Sequence, residues 1–204
     1  MANLQVDDVI VVGGGIIGLS IAREAARSGL RVRLFDKGEL GGEASSAAAG
    51  LLGPQIDLEE KDPLAALGLA SRDLFPDFAR SIAEESGLDP CLLERGTLVL
   101  ARGDSEIRAI DRQAAFQRSL GLEAERVGGD VLRRLEPSLD AGLTEGLHLP
   151  RDWSVDNVLL VRGLGRSAER AGARLVEGTR IERLLVEGGR VTGVGAGGES
   201  FAAG

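Results

Sequence analysis

The sequence predicts an α/β fold that opens on a parallel sheet, and three observations lead there. Val9-Ile10-Val11-Val12 is a wholly apolar, β-branched run of the kind that fills a buried parallel strand. It passes directly into Gly13-Gly14-Gly15-Ile16-Ile17-Gly18, after which residues 16–28 read as a helix with Gly18, Ala22 and Ala25 as a small-residue face. Gly29 stands where a helix would end, and residues 31–36, R-V-R-L-F-D, form a second strand. Strand, glycine turn, helix and strand make one Rossmann-like βαβ unit with a right-handed crossover.

Composition excludes several classes. The chain has 204 residues, enough for one or two domains with a real core. Its 30 glycines are about twice the ordinary ~7% share, but they follow no period and only 6 prolines accompany them, so collagen-like and low-complexity readings fail. With 43% hydrophobic residues it is not an unfolded chain. A net charge of −8 argues against a nucleic-acid or membrane-surface binder, as does the 3% aromatic content with no tyrosine. Only Lys37 and Lys61 are lysines; the arginine excess reads as coding bias. One cysteine, Cys91, allows no internal disulfide and suggests a reducing, cytoplasmic setting. No apolar run approaches the ~20 residues of a membrane span, and residues 1–8 carry acid where a signal peptide carries base.

Further along, residues 38–54 are rich in small side chains and lack the polar character of a linker. Asp62 reads as the cap and Pro63 as the first residue of a helix reaching towards Glu85, with Pro76 expected to kink or split it. Residues 96–101 read as a strand and 105–120 as an amphipathic helix capped by Asp104. A short helix over 130–135 and a strand over 146–149 follow. Asp156 caps a helix reaching Ala171, residues 173–176 form a strand, and 180–186 with 190–195 flank Glu187-Gly188-Gly189 as a hairpin. A further strand begins near 199. The expected organisation is 1–87 and 151–204 as two segments of one domain, with 88–150 belonging to an inserted α+β domain.

The chemistry is concentrated in two places. Gly13, Gly15 and Gly18 fit G-x-G-x-x-G: one glycine for the tight turn, one for close approach of a pyrophosphate, one for helix–strand packing. The helix start supplies partial positive charge, and Asp36 at the end of the second strand can accept hydrogen bonds from a ribose diol. Then Gly41-Gly42 and Ser45-Ser46-Ala47-Ala48-Ala49-Gly50 provide backbone that can run against a flat, bulky ring. An NAD-dependent dehydrogenase needs no such stretch and is disfavoured.

At these residues the chain resembles a known family. V-V-G-G-G-I-I-G, F-D-K-G and especially S-S-A-A-A-G-L-L-G-P-Q are similar to the N-terminal region of the FAD-dependent amine and D-amino-acid oxidases, the glycine oxidase branch of thiamin biosynthesis above all. L-A-S-R-D-L-F-P, E-R-G-T-L-V-L-A, V-D-N-V-L-L-V-R and G-A-R-L-V-E-G-T-R-I carry the likeness through nearly the whole chain. The resemblance implies a Rossmann-like FAD-binding domain of glutathione-reductase type with an inserted substrate domain, its C-terminal part lacking. It implies that Gly13, Gly15, Ile16, Ile17 and Gly18 hold the FAD pyrophosphate, with Asp36 on the adenosine ribose and Lys37 beside it. Ala44 and Ser45 would contact the cofactor next to the phosphates, Ala49, Gly50 and Leu51 would lie along the isoalloxazine, and Ile181 would hold the adenine through its backbone. Asp36 stands where glutamate is commoner and Leu51 where methionine is frequent.

The implied reaction is oxidative deamination of glycine or a small amino acid or amine by O2, giving an imine, then a 2-oxo acid, ammonia and hydrogen peroxide. A D-amino-acid dehydrogenase or sarcosine-oxidase-like enzyme is the nearest alternative, and a non-catalytic nucleotide-binding fragment is one of another class. A homo-oligomer is compatible with all three. The family's A-G-x-W strand, substrate-binding arginine and neighbouring tyrosine have no counterpart in these residues, so no catalytic residue is assigned. The chain alone is expected to be inactive and to bind FAD weakly. His148, the only histidine, reads as structural, Cys91 as a packed or inert thiol, and Trp153 as an interdomain packing residue. Asp57, Glu59, Glu60 and Asp62 read as a solvated turn plus helix cap, and Arg133-Arg134 as an exposed helix face; no metal site is expected.

Overall fold

A computed structural model describes residues 6–60 and 62–204; of the N-terminal stretch read for charge, residues 1–5 lie outside the described residues while Asp7 and Asp8 lie within them, and Lys61 lies outside. In chain order the elements are β1 (Val9–Val12), α1 (Ile16–Arg27), β2 (Val32–Phe35), α2 (Ala44–Ala47), β3 (Leu51–Leu52) and α3 (Ala65–Ser86). Then come β4 (Thr97–Ala101), α4 (Asp104–Ser119), β5 (Glu125–Gly128), α5 (Gly129–Leu135), β6 (Glu145–Leu149) and β7 (Trp153–Ser154). The last are α6 (Asn157–Arg170), β8 (Arg174–Val176), β9 (Arg183–Glu187), β10 (Arg190–Ala196) and β11 (Glu199–Ala202). They fall into two compact units. The first comprises Met1–Ala49, Phe78–Cys91 and Asp156–Gly204, and the second Gly50–Asp77 and Leu92–Val155. Residues 50–77, expected in the first segment, thus sit in the second unit.

In the first unit β1, β2 and β8 form a parallel sheet in the order β1-β2-β8, with Val9 opposite Val32 and Val12 opposite Phe35. Helix α1 buries Leu19, Ala22, Arg23 and Ala26. Its expected small-residue face is therefore rotated: Ala22 is shared, Ala25 is only half-buried, and Gly18 serves the glycine turn instead. Gly29 at φ 85° ends the helix, as its position predicts. Helix α6 starts where Asp156 accepts the Leu159 N–H at 2.8 Å. The closing residues complete an antiparallel meander, β11-β10-β9, whose Phe201 ring packs 4.8 Å from Phe35.

Arg23 joins the helices of this unit. It is 1% exposed, and its guanidinium donates to Glu85 at 2.8 and 2.9 Å, to Ser81 at 2.9 Å and to Ser167 at 2.6 Å. Burial alone would raise the Glu85 carboxyl, but hydrogen bonds from Ser167 and Arg23 hold it below its ordinary range. Gly163 of α6 makes room here: a β-carbon on it would come within 2.6 Å of Ile82.

In the second unit β4, β6 and β5 form an antiparallel sheet, and α4 covers one of its faces through Ile110 and Ala114 against Ala101, Leu147 and Leu149. Strands β3 and β7 pair Leu52 with Trp153, whose indole donates to the Pro150 carbonyl at 3.2 Å. At the centre lies Gln55, fully buried. Its side chain donates to Gln117 and to the Glu123 carbonyl, each at 3.0 Å, and accepts from Arg72 at 2.6 Å. Its backbone N–H reaches the Asp152 carboxylate at 3.1 Å. Asp152 is fully buried, and that burial pushes its carboxyl up to about 6, against the opposing pull of the Gln55 N–H and Arg72.

Several expectations need correction. Of the kink or split expected at Pro76, the split does not occur: α3 runs unbroken from Ala65 to Ser86. The proline removes a single backbone hydrogen bond, and the burial of Ala79 and Ile82 beyond it sustains the helix. Helix α4 begins at Asp104 itself, with Gly103 as its flanking residue at φ 78°. Asp62 does accept the Leu64 N–H at 2.8 Å, but regular helix starts only at Ala65. Of the two readings of Cys91 the packed one fails: the residue is exposed, and its φ of 52° is held by an N–H bond to Asp89 at 2.8 Å. The short α2, β3, β5 and β7 carry too little periodicity to have been foreseen.

Two outcomes follow for stability. Arg23→Leu removes the closest ion-pair partner of the half-buried Glu85, leaving it Ser167 and Arg27 at 3.7 Å, and should lower unfolding free energy by about 3 kcal/mol in a urea titration; a loss under about 0.5 kcal/mol would contradict the network's role. For Asp152 the folded state binds its proton more tightly than the unfolded chain. Its contribution is therefore favourable near pH 4 and lost as pH rises through about 6. The stability difference between wild type and Asp152→Asn should shrink by on the order of 2 kcal/mol from pH 4 to 6.5, and a flat difference would refute it.

Candidate functional site

Close packing builds the site from the backbone of the first unit. Gly13, at φ 107°, leaves β1 while its N–H still bonds the Phe35 carbonyl at 2.8 Å. The chain then turns so sharply that a β-carbon on Gly18 would lie 1.9 Å from the Gly13 carbonyl oxygen. Only glycine fits, and α1 therefore starts directly beneath the turn. No acidic residue occupies the first turn of α1, so the partial positive charge of its N–H groups is unopposed on that helix.

Two segments distant in sequence complete the surroundings. The Gly14 N–H donates to Asp36 Oδ2 at 2.6 Å, and the Gly38 N–H to Asp36 Oδ1 at 2.8 Å. Each carboxylate oxygen keeps a further lone pair for an outside donor. From the other side the Ser45 hydroxyl accepts the Ile16 N–H at 3.0 Å, capping α1 with a residue 29 positions away. Gly41 donates to the Gly14 carbonyl at 2.9 Å, and Thr179 to the Asp36 carbonyl at 2.8 Å.

Gly13, Gly15, Ile16, Ile17, Gly18, Ala44 and Ser45 line one open groove of about 520 Å³, with Val12 and Ile21 as apolar wall. Asp36 joins Gly13, Gly15, Ala44 and Ser45 around a smaller hollow of about 190 Å³. Eight of the thirteen expected residues are thereby brought together: Gly13, Gly15, Ile16, Ile17, Gly18, Asp36, Ala44 and Ser45. Lys37 lines neither cavity; it is exposed and paired at 2.6 Å with Glu43, which lines the smaller hollow. Ala49 is an exposed residue of the first unit; Gly50 and Leu51 belong to the second, where Leu51 is 46% exposed on β3. Ile181 follows the Thr179 contact in the connection from β8 to β9 and lines neither cavity.

The sequence reading missed Gly14 and Asn157, and it gave Gly41 to the ring-facing run without its packing role: a β-carbon on Gly41 would meet Val161 of α6 at 2.4 Å. Asn157, whose amide bonds the Ser45 carbonyl at 2.6 Å, left no signal, because its partner is 112 residues away. His148 of β6 lies 3.6 Å from Glu125 and 3.4 Å from the Arg95 carbonyl. Arg133 and Arg134 are exposed on α5. Among the described residues no three His, Cys, Asp or Glu side chains gather as a metal site, and no helix is long and apolar enough to cross a membrane.

The local geometry suits a dinucleotide: backbone donors at a helix start, a carboxylate at the adjoining strand end, and glycines where a side chain would fill the space. Comparison with known proteins agrees. The family model described as FAD dependent oxidoreductase (DAO) matches residues 8–203. The glycine oxidase of Geobacillus kaustophilus is 38% identical over 175 residues, 85% of this chain and 46% of that protein. The glycine oxidase of Pseudomonas aeruginosa is 34% identical over 91% of this chain and 50% of its own length. The crystal structure of the G. kaustophilus glycine oxidase superposes with a TM-score of 0.90 at 35% identity, covering 97% of this chain and 53% of that one. The chain thus spans about half the length of the relatives it matches.

Two glycines can be told apart by substitution. Gly18→Ala drives a methyl group into backbone and should destabilise the chain by about 2 kcal/mol or more. Gly15→Ala meets only the Ser45 hydroxyl, at 3.0 Å, so it disturbs one capping hydrogen bond worth about 1 kcal/mol and should lower the melting temperature clearly less than Gly18→Ala. Equal melting of the two variants would show that the Gly13–Gly18 approach does not limit the turn.

Proposed function

This chain belongs to the FAD-dependent oxidoreductase family, and from that premise we propose that it holds FAD for the oxidative deamination of glycine or another small amino acid by O2. The observation that carries this reading is the convergence of the glycine turn, Asp36 and Ser45 on one helix start. In it the first unit is the FAD-holding domain and the second belongs to the substrate domain.

The chain's own residues do binding and orientation. The backbone N–H groups of residues 15–18 would receive the pyrophosphate, the Ser45 hydroxyl, which accepts from the Ile16 N–H, would keep its own O–H for a phosphate oxygen, and Asp36 would accept the ribose hydroxyls. Ile181 would offer backbone to the adenine, Lys37 would flank the ribose, and Ala44 and Ala49 would give small-residue surface along the cofactor. FAD, when bound, supplies a two-electron acceptor for oxidation at the amine carbon and returns the electrons to O2. The products of that reading are an imine and its 2-oxo acid, ammonia and hydrogen peroxide. The 34–38% identity with glycine oxidases supports the substrate class, and the single cysteine supports a reducing, cytoplasmic setting.

Titration of the purified chain should quench FAD fluorescence with an affinity of about micromolar or weaker, and NAD should not compete. In the protein as its gene encodes it, anaerobic glycine should bleach the yellow flavin band and air should restore it with release of peroxide. A protein indifferent to FAD would sink the cofactor assignment; one that binds FAD yet ignores every small amino acid would sink the substrate.

A further inference from the structure

We propose that Asn157 is a positioning residue for the cofactor site, holding the Ser45 turn in register with the start of α1. The proposal rests on the FAD reading and extends it to a residue outside the glycine turn. Asn157 opens α6, and its side-chain amide donates two hydrogen bonds, to the Ser45 carbonyl at 2.6 Å and to the Ser46 carbonyl at 3.2 Å. Both partners are carbonyl oxygens, so the amide must present its NH2 to them and its orientation is settled by chemistry.

The turn needs such a hold. Helix α2 has only four residues, buries none of them and has no side-chain cap at its start. A helix this short does not persist by itself. Its own bonds are local: Ser46 N–H to the Gly41 carbonyl at 3.0 Å and Ala47 N–H to the Glu43 carbonyl at 3.2 Å. Helix α6 supplies the rest from two positions one helical turn apart. Asn157 ties down the Ser45 and Ser46 carbonyls, while Val161 fills the space that a side chain on Gly41 would need. Ser45, held at its carbonyl by Asn157, is also the residue whose hydroxyl accepts the Ile16 N–H at 3.0 Å. The path Asn157–Ser45–Ile16 is therefore continuous. Losing its first link frees the Ser45 hydroxyl from the helix start to which the pyrophosphate is assigned.

Asn157→Ala and Asn157→Asp separate positioning from mere helix stability. Aspartate keeps the shape of asparagine and suits the positive start of α6, so a purely structural role predicts wild-type behaviour for it. A positioning role predicts the opposite, because a carboxylate cannot donate and faces two carbonyl oxygens. Fluorescence titration should show FAD binding about tenfold weaker in both variants, with ligand-free melting temperatures within about 2 °C of wild type. The double variant Ser45→Ala/Asn157→Ala should bind no worse than Ser45→Ala alone, since both act on one path. FAD binding at wild-type strength in either Asn157 variant, or losses that merely track a lowered melting temperature, would overturn the proposal. A wild-type chain that leaves FAD unbound would overturn the FAD reading as well, so the two failures are distinct.

Discussion

At Gly18 the first turn of α1 passes so near the preceding loop that a β-carbon would sit 1.9 Å from the Gly13 carbonyl oxygen. Everything that makes the first unit a candidate cofactor domain depends on that approach. It sets the helix start against the end of β1, puts Gly15, Ile16, Ile17 and Gly18 on the groove, and leaves Gly14 positioned to donate to Asp36. The parallel register of β1 with β2, Val12 against Phe35, then places Asp36 one residue beyond the strand end, beside the turn. A local backbone constraint and a sheet register thus produce one site.

The two units secure their distant segments by the same means, a fully buried polar side chain surrounded by partners. In the first, Arg23 gathers α1, α3 and α6 through Glu85, Ser81 and Ser167. In the second, Gln55 gathers the loop after β3, helix α4 and Asp152. Such groups specify one arrangement, because each unmade hydrogen bond in a dry interior costs about 1–3 kcal/mol. Gln55 closes the S-S-A-A-A-G-L-L-G-P-Q stretch that reads on paper as cofactor-facing; its own role is to anchor the second unit.

The glycine turn, the flanking strands, α1 and Asp36 were legible in the sequence because their interactions lie within some 25 residues and follow simple periods. The small-residue run after Gly41 was legible in composition only. Ala44 and Ser45 meet the glycine turn, whereas Gly50 and Leu51 begin the second unit, and no local pattern marks that boundary. Pro76 shows the converse: a strong local signal for a break yields to burial on the far side of it.

By itself, then, the sequence determined the βαβ opening, the glycine positions that tolerate no side chain and the acid that faces them. These follow from backbone sterics and strand periodicity, which act between near neighbours. Only the tertiary structure decided that Ser45 caps α1, that Asn157 and Val161 brace the segment bearing it, and that Arg23 is a buried hub. Those choices rest on hydrogen bonds and packing between segments dozens to more than a hundred residues apart. Such pairings are determined by how helices and strands stack, and a linear pattern does not encode that.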